Sequence, residues 1–261
     1  MNISKKIQPL LNANKFTLLI ISFVFIPNII SLGAFNDCFT SDNQFVCKDP
    51  YSFFKNEGID IESNILHSSE LRLKKKKPTG HSKGGIYKEK KQKHNVYYVK
   101  KCRIFNEITG SRLMNLIVGT ESSPQVKVIK NKKRMIASKR LSSFRMQNQA
   151  HIGNKTILNE VELRVAMDFL GIVDRHPRNM GYRKLKSKQL VAARVDYDSC
   201  FDFESTKGYT SKTNHRNLKH IHNTIDDFPT DQIRNAMAKI VEIPDEKIVL
   251  SIFESWAIIN R

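Results

Sequence analysis

The chain has 261 residues, with 44 Lys and Arg against 25 Asp and Glu, so its formal net charge is +19. That length holds one compact unit behind a leader and excludes two large independent domains. The charge points to polyanionic partners, nucleic acid, anionic membrane lipid or nucleotide phosphate, without choosing among them.

Lys5, Lys6 and Lys15 precede an apolar run from Phe16 to Ala34, interrupted by Pro27, Asn28 and Ser31, with small residues Ser31, Gly33 and Ala34 near its end. Residues 1–34 therefore read first as a signal peptide, with an uncleaved membrane anchor as the next reading and a buried core helix as the last. Cys38 and Cys47 could close a short disulfide loop after export, and a free-thiol reading stands equally beside it. The absence of a Cys-x-x-Cys pair or a His-rich cluster argues against a structural zinc site. Residues 35–79 read as a polar, basic linker. From Arg72 to Arg103 there are thirteen basic residues and one acidic one, Glu89. This run reads as a patch for an anionic membrane surface or as a solvated, disordered segment. Nucleic acid ranks behind both, because strand propensity explains Tyr87, Tyr97 and Tyr98 better than base stacking does.

Gly84 and Gly85 mark a turn, and the β-branched and aromatic residues of Asn95 to Lys101 (NVYYVKK) predict a strand. Asn106 and Glu107 open a predicted helix with Leu113, Met114, Leu116 and Ile117 on its apolar face and Gly119 at its end. Val126 to Ile129 and Met135 to Ser138 predict two short strands. A second helix is predicted from Thr156 to Leu170, stopped by Gly171. Residues 172–196 read as a loop and then a hairpin, MGYR and LVAARVD around KLKSK. Thr230 and Asp231 start one further helix, and Pro244 and Asp245 start the last, which is expected to bury Ile248, Ile252, Phe253 and Ile259.

The chemistry concentrates in Asp174-Arg175-His176-Pro177-Arg178-Asn179, followed by Asp196 at the end of an apolar strand. An Asp near an acceptor hydroxyl, an Asn five residues later and a second Asp at the end of the adjacent hairpin are the oxygen donors that phosphoryl transfer from a Mg²⁺ nucleotide needs. Upstream, Lys100 ends the NVYYVKK strand where a phosphate-holding lysine would lie, and Glu107 on the next helix could pair with it; Lys101 competes for the same role. The plain alternative is that Lys100 belongs to the basic run and Glu107 only complements the helix dipole.

DRHPRN resembles the Asp-Arg-His-x-x-Asn catalytic loop of phosphatidylinositol 3- and 4-kinases, and ARVDYD is similar to the strand-ending, metal-binding Asp motif of that superfamily. YYVKK, NEITGSRL, DRHPRN and RVDYD follow the family order over residues 80–205, and the likeness extends to HipA-like bacterial kinases and to phosphoinositide-kinase-like effectors of intracellular bacteria. The resemblance implies an α+β, small bilobal protein-kinase-like fold: a β-rich first lobe at 80–148 and a mostly helical second lobe at 149–261, behind the apolar segment. It implies Asp174 as catalytic aspartate, His176 assisting deprotonation or stabilising transferred charge, Asn179 and Asp196 as Mg²⁺ ligands, and Lys100, Glu107, Gly84 and Gly85 at ATP, with Mn²⁺ an alternative ion. The implied activity is an exported phosphatidylinositol kinase, the 3-position favoured over the 4-position, working at phosphoinositide or anionic membranes in a host cytoplasm. A location in the bacterial envelope is the alternative. A HipA-like or other atypical protein kinase is the runner-up, and a non-catalytic basic membrane-binding scaffold the third reading. Three departures stand out: Val173 replaces the glycine before the triplet, Asp198 stands where a glycine is expected after Asp196-Tyr197, and no full glycine-rich loop exists. Residues 203–222, with Lys207, Lys212, His215, Arg216, Lys219 and His220, are the candidate headgroup loop.

Overall fold

The computed structural model describes Phe54 and residues 60–76, 84–132, 134–147, 156–172, 174–201 and 228–260. The apolar leader, Cys38 and Cys47, Val173 and the candidate headgroup loop lie outside the described residues.

Two sheets and four helices make up the described part, and the class is α+β, as expected. The first sheet has six strands in the order β1-β5-β6-β4-β3-β2: β1 Ile65–His67, β2 Leu71–Lys76, β3 Gly84–Glu89, β4 Val96–Lys101, β5 Val126–Lys130 and β6 Met135–Lys139. β4 lies between β3 and β6, antiparallel to both. Its alternation is the reason: Tyr97 and Val99 are buried on one face with Leu66, Leu71, Ile129 and Ala137, while Tyr98 and Lys100 turn to the other. Helix α1, Ile104–Val118, follows β4 after two residues and ends at Gly119, whose φ of 90° needs no Cβ.

The second sheet, in the order β7-β9-β10-β8, is built from β7 Phe144–Met146, β8 Ile157–Leu158, β9 Met180–Lys184 and β10 Leu190–Arg194. β9 and β10 form the expected antiparallel hairpin. Helices α2 (Glu160–Phe169), α3 (Thr230–Val241) and α4 (Asp245–Asn260) complete the described chain. α1 is the centre of the packing. Its Ile108 joins Val126 and Ile136 of the first sheet and Phe253, Ala257 and Ile258 of α4 in one apolar cluster. Leu113, Met114 and Val118 join Leu163, Met167 and Leu170 of α2 and Met180 and Ala192 of the second sheet in another. The helix thus ties the two sheets together, and an Arg112–Glu254 ion pair fastens it to α4.

Several expectations need correction. Residues 65–67 and 71–76 fall in the stretch read as linker, yet they are β1 and β2 of the first sheet. β2 keeps only Leu71 buried, so its place is set by backbone pairing with β3 rather than by side-chain burial. The helix expected from Thr156 starts at Glu160 instead. Ile157 and Leu158 pair in parallel with Leu190 and Val191, and Asn159, at φ 58°, turns the chain before the helix can begin. β7 lies inside the stretch assigned to the first lobe but joins the second sheet through β9. In α4, Phe253 is buried as expected, whereas Ile248, Ile252 and Ile259 are half-buried and Ala257 and Ile258 fill the core. Among the described residues no helix is long and apolar enough to cross a membrane.

Candidate active site

Strand alternation sends Lys100 toward α1 and Lys101 outward, where it is exposed. Lys100 Nζ donates to Glu107 Oε2 at 2.8 Å and to Asp196 Oδ1 at 2.6 Å. These three residues come from β4, α1 and the segment just after β10, so one ammonium joins both halves of the fold. Of the two candidate lysines, Lys100 is the one at the site.

Glu107 is fully buried, and its Oε2 also accepts the Tyr197 backbone N–H at 2.8 Å. Burial is the strongest influence on this carboxyl and pushes it upward, with Lys100 opposing. Burial alone would lower the Lys100 ammonium, but Glu107 and Asp196 outweigh it and hold the amine charged, above the usual lysine range. For Asp196, burial pushes up and Lys100 pulls down further, leaving a carboxylate below the usual aspartate range. Asp196 has a left-handed backbone, φ 73°, a conformation that costs free energy in a non-glycine residue and turns the chain sharply off β10.

The loop between α2 and β9 presents the second group. Asn179 Nδ2 donates to Asp174 Oδ2 at 2.9 Å, and the His176 N–H donates to Asp174 Oδ1 at 3.2 Å. Both carboxylate oxygens are thereby fixed in direction. His176 is exposed, and its Nδ1 accepts the Arg178 N–H at 3.0 Å. Three contacts bring this loop beside Asp196, one of them the Asp174 N–H donating to Ser199 Oγ at 3.2 Å. The Val195 N–H donates to the Asn179 carbonyl at 2.8 Å, and the Arg194 Nη2 donates to the carbonyls of Asp174 at 2.6 Å and Asp196 at 3.1 Å.

An octahedral, oxygen-seeking cation fits this donor set. Asn179 spends its amide nitrogen on Asp174, which leaves its carbonyl oxygen able to meet a cation, and Asp196 spends Oδ1 on Lys100 with its side chain still 38% exposed. Among the described residues no three His, Cys, Asp or Glu side chains gather in a group that could hold a metal ion.

Gly84 and Gly85 lie on β3, with Gly84 directly opposite Lys100. A Cβ on Gly84 would sit 2.1 Å from the Val99 carbonyl oxygen, and one on Gly85 would sit 2.8 Å from that of Lys75. Close strand approach therefore explains both glycines, and it places them at the site's end of the sheet.

Sequence reasoning missed Arg194, Asp198, Asn106 and Gly110. Gly110 lies mid-helix in α1, where a Cβ would meet Cys200 Sγ at 2.4 Å and Tyr197 Cβ at 3.0 Å. In an open helix, Gly to Ala gains about 1 kcal/mol. Here Gly110→Ala is expected to destabilise by about 1–3 kcal/mol through overpacking, seen as a lower Tm, because the buried Tyr197 and Cys200 side chains have little room to retreat.

No protein-family model matches the chain, and no curated protein matches it in sequence. Among solved structures the chain is similar to the crystal structure of a Helicobacter pylori proinflammatory kinase, CtkA, at 17% identity over 75% of this chain and 93% of that one, with a TM-score of 0.45.

Proposed function

We propose that this chain is a metal-dependent phosphotransferase that moves the γ-phosphoryl group of ATP to a hydroxyl acceptor. The observation that carries this reading is the single Lys100 ammonium held at once by Glu107 and Asp196. An ammonium has three N–H donors, and two are spent on these carboxylates, so the third is left for an anionic ligand such as the α- and β-phosphates of a nucleotide. Asn179 and Asp196 would hold Mg²⁺ or Mn²⁺, which would neutralise charge on the transferring phosphoryl group. Asp174, fixed by Asn179 and the His176 N–H, is the group positioned to orient the acceptor hydroxyl and accept its proton. Because His176 Nδ1 already accepts a backbone N–H, the neutral ring carries its proton on Nε2. His176 then acts as a donor that stabilises transferred charge, and not as the base.

The acceptor we favour is an inositol lipid, modified at the 3-position in preference to the 4-position. Two features support it: the Asp-Arg-His form of the loop, and the exposed basic edge of the first sheet, where Arg72, Lys74, Lys75 and Lys76 run along β2 and Lys90, Lys91 and Lys93 follow β3. Basic residues near an anionic leaflet contribute roughly 1 kcal/mol each. The basic flank and apolar run at 1–34 support export, and ATP supply would then place the working enzyme in a host cytoplasm. The same core residues would also serve a protein kinase.

The test is turnover of ATP by the full chain with phosphatidylinositol vesicles and, separately, with generic protein substrates. Transfer to lipid supports the favoured acceptor, transfer to protein alone replaces it, and no transfer to either overturns the phosphotransferase reading. In the same assay Lys100→Met is expected to lose roughly 10²-fold, while Lys101→Met keeps parental turnover.

A further inference from the structure

Where the resembled family carries a glycine two residues after the metal-binding aspartate, this chain has Asp198. Its side chain has a definite task. Arg103 is the N-cap residue of α1, in extended backbone conformation, and makes no side-chain capping bond. The Arg103 N–H donates instead to Asp198 Oδ1 at 2.6 Å, across 95 residues of sequence. In a capping box that N–H is met by a Glu or Gln at the third helical position. Here the third position is Asn106, and its amide faces away, donating to the carbonyls of Asp198 at 3.4 Å and Cys200 at 2.6 Å. The Phe105 and Phe201 rings lie 6.5 Å apart alongside.

These contacts close a ring. Asp196 holds Lys100, Lys100 holds Glu107, and Glu107 holds the Tyr197 N–H. Asp198, the next residue, holds the end of the helix that carries Glu107. We propose that Asp198 is a positioning residue: its carboxylate is the N-terminal cap of α1, supplied from the far side of the site, and it fixes Glu107 against Lys100. This rests on the phosphotransferase reading for its effect on turnover but not for the cap itself. A carboxylate at this end also complements the positive pole of the helix dipole, which a glycine could not do. The departure from the family pattern is thereby explained, since the residue that replaces glycine ties the metal-binding segment to α1 within one chain.

The experiment compares Asp198→Ala, Asp198→Gly and Asp198→Asn in the full chain, reading amide hydrogen exchange over residues 103–107 and ATP turnover as a function of Mg²⁺. Ala and Gly are expected to speed exchange there by roughly five- to tenfold, the range set by loss of one cap, and to lower turnover by a similar factor at an unchanged Mg²⁺ requirement. Asn keeps an oxygen acceptor and is expected to restore both. Should Ala fail to fold, Asn and Asp198→Ser, both competent caps, must still match the parent. Unchanged exchange in Ala or Gly overturns the proposal, and so does an Asn variant as impaired as Ala with a raised Mg²⁺ requirement, which would make Asp198 a metal ligand. If the parent turns over no ATP, the phosphotransferase reading fails and the exchange measurement alone decides the cap.

Discussion

Asp196→Asn is expected to lower ATP turnover by roughly 10²–10³-fold while leaving the fold in place. Asparagine is the informative substitution because it tolerates the φ of 73° at this position, which alanine does not do without strain. It also keeps an oxygen that can accept from Lys100. The Arg194 contact is to the backbone carbonyl of Asp196 and survives the change. What disappears is one negative charge, which the proposed Mg²⁺ site would use and which strengthens the second arm of Lys100. The stability cost is expected to be below about 1 kcal/mol, since the side chain is partly exposed and solvent screens the pair. Its pH dependence has a definite sign. Burial raises the Asp196 carboxyl and Lys100 lowers it further, so the folded value lies below the unfolded one. The parent therefore holds this increment above the ordinary aspartate range and loses it as pH falls through the depressed folded value. Thermal melts across acid pH should show a shallower loss for Asp196→Asn than for the parent. Parental turnover in this variant would remove Asp196 from the metal site.

The parts of this site that are legible in sequence are those encoded by short-range pattern. NVYYVKK alternates and so becomes β4, and the alternation that buries Tyr97 and Val99 is what delivers Lys100 to Glu107 and Asp196. Asp174 and Asn179 meet because five residues of loop suffice to bring them together, and their hydrogen bond is local. β2 was hidden for the opposite reason. Leu71 and Leu73 alternate with Arg72 and Lys74, but the charge of the run masks a weak period of two, and pairing with β3 decides the matter. The misplacement at Ile157 and Leu158 has the same origin, since a two-residue strand exists only because β10 lies beside it. Asp198, Asn106 and Gly110 were invisible because each acts on a residue some 90 positions away. The one available signal was the missing glycine after Tyr197.

Arg194 is the residue whose loss should cost the most stability. It closes the apolar strand LVAAR, is fully buried, and lies over the Tyr197 ring at 5.8 Å. Its Nη2 donates to the carbonyls of Asp174 and Asp196, while Nε and Nη1 have no hydrogen-bond partner among the described residues. Two effects compete in Arg194→Met. Removing a buried, incompletely bonded guanidinium relieves a desolvation cost, and such replacements can be neutral or better. Against this, the carbonyls of Asp174 and Asp196 lose their shared donor in a half-buried place, at about 1–3 kcal/mol for each group left unsatisfied. Both carbonyls belong to residues whose backbones are already constrained, Asp196 by its left-handed φ and Asp174 by the turn that fixes its carboxylate. They cannot rotate toward another donor, so the second effect is expected to win by about 2–4 kcal/mol, measured as a lower midpoint in denaturant. Turnover should fall beyond what the unfolded fraction accounts for, because the side-chain nitrogen that bonds both the Asp174 and the Asp196 carbonyls is gone. A variant as stable as the parent, with normal turnover, would show that the backbone bonds of Val195 to Asn179 and of Asp174 to Ser199 Oγ suffice to keep the two aspartates together.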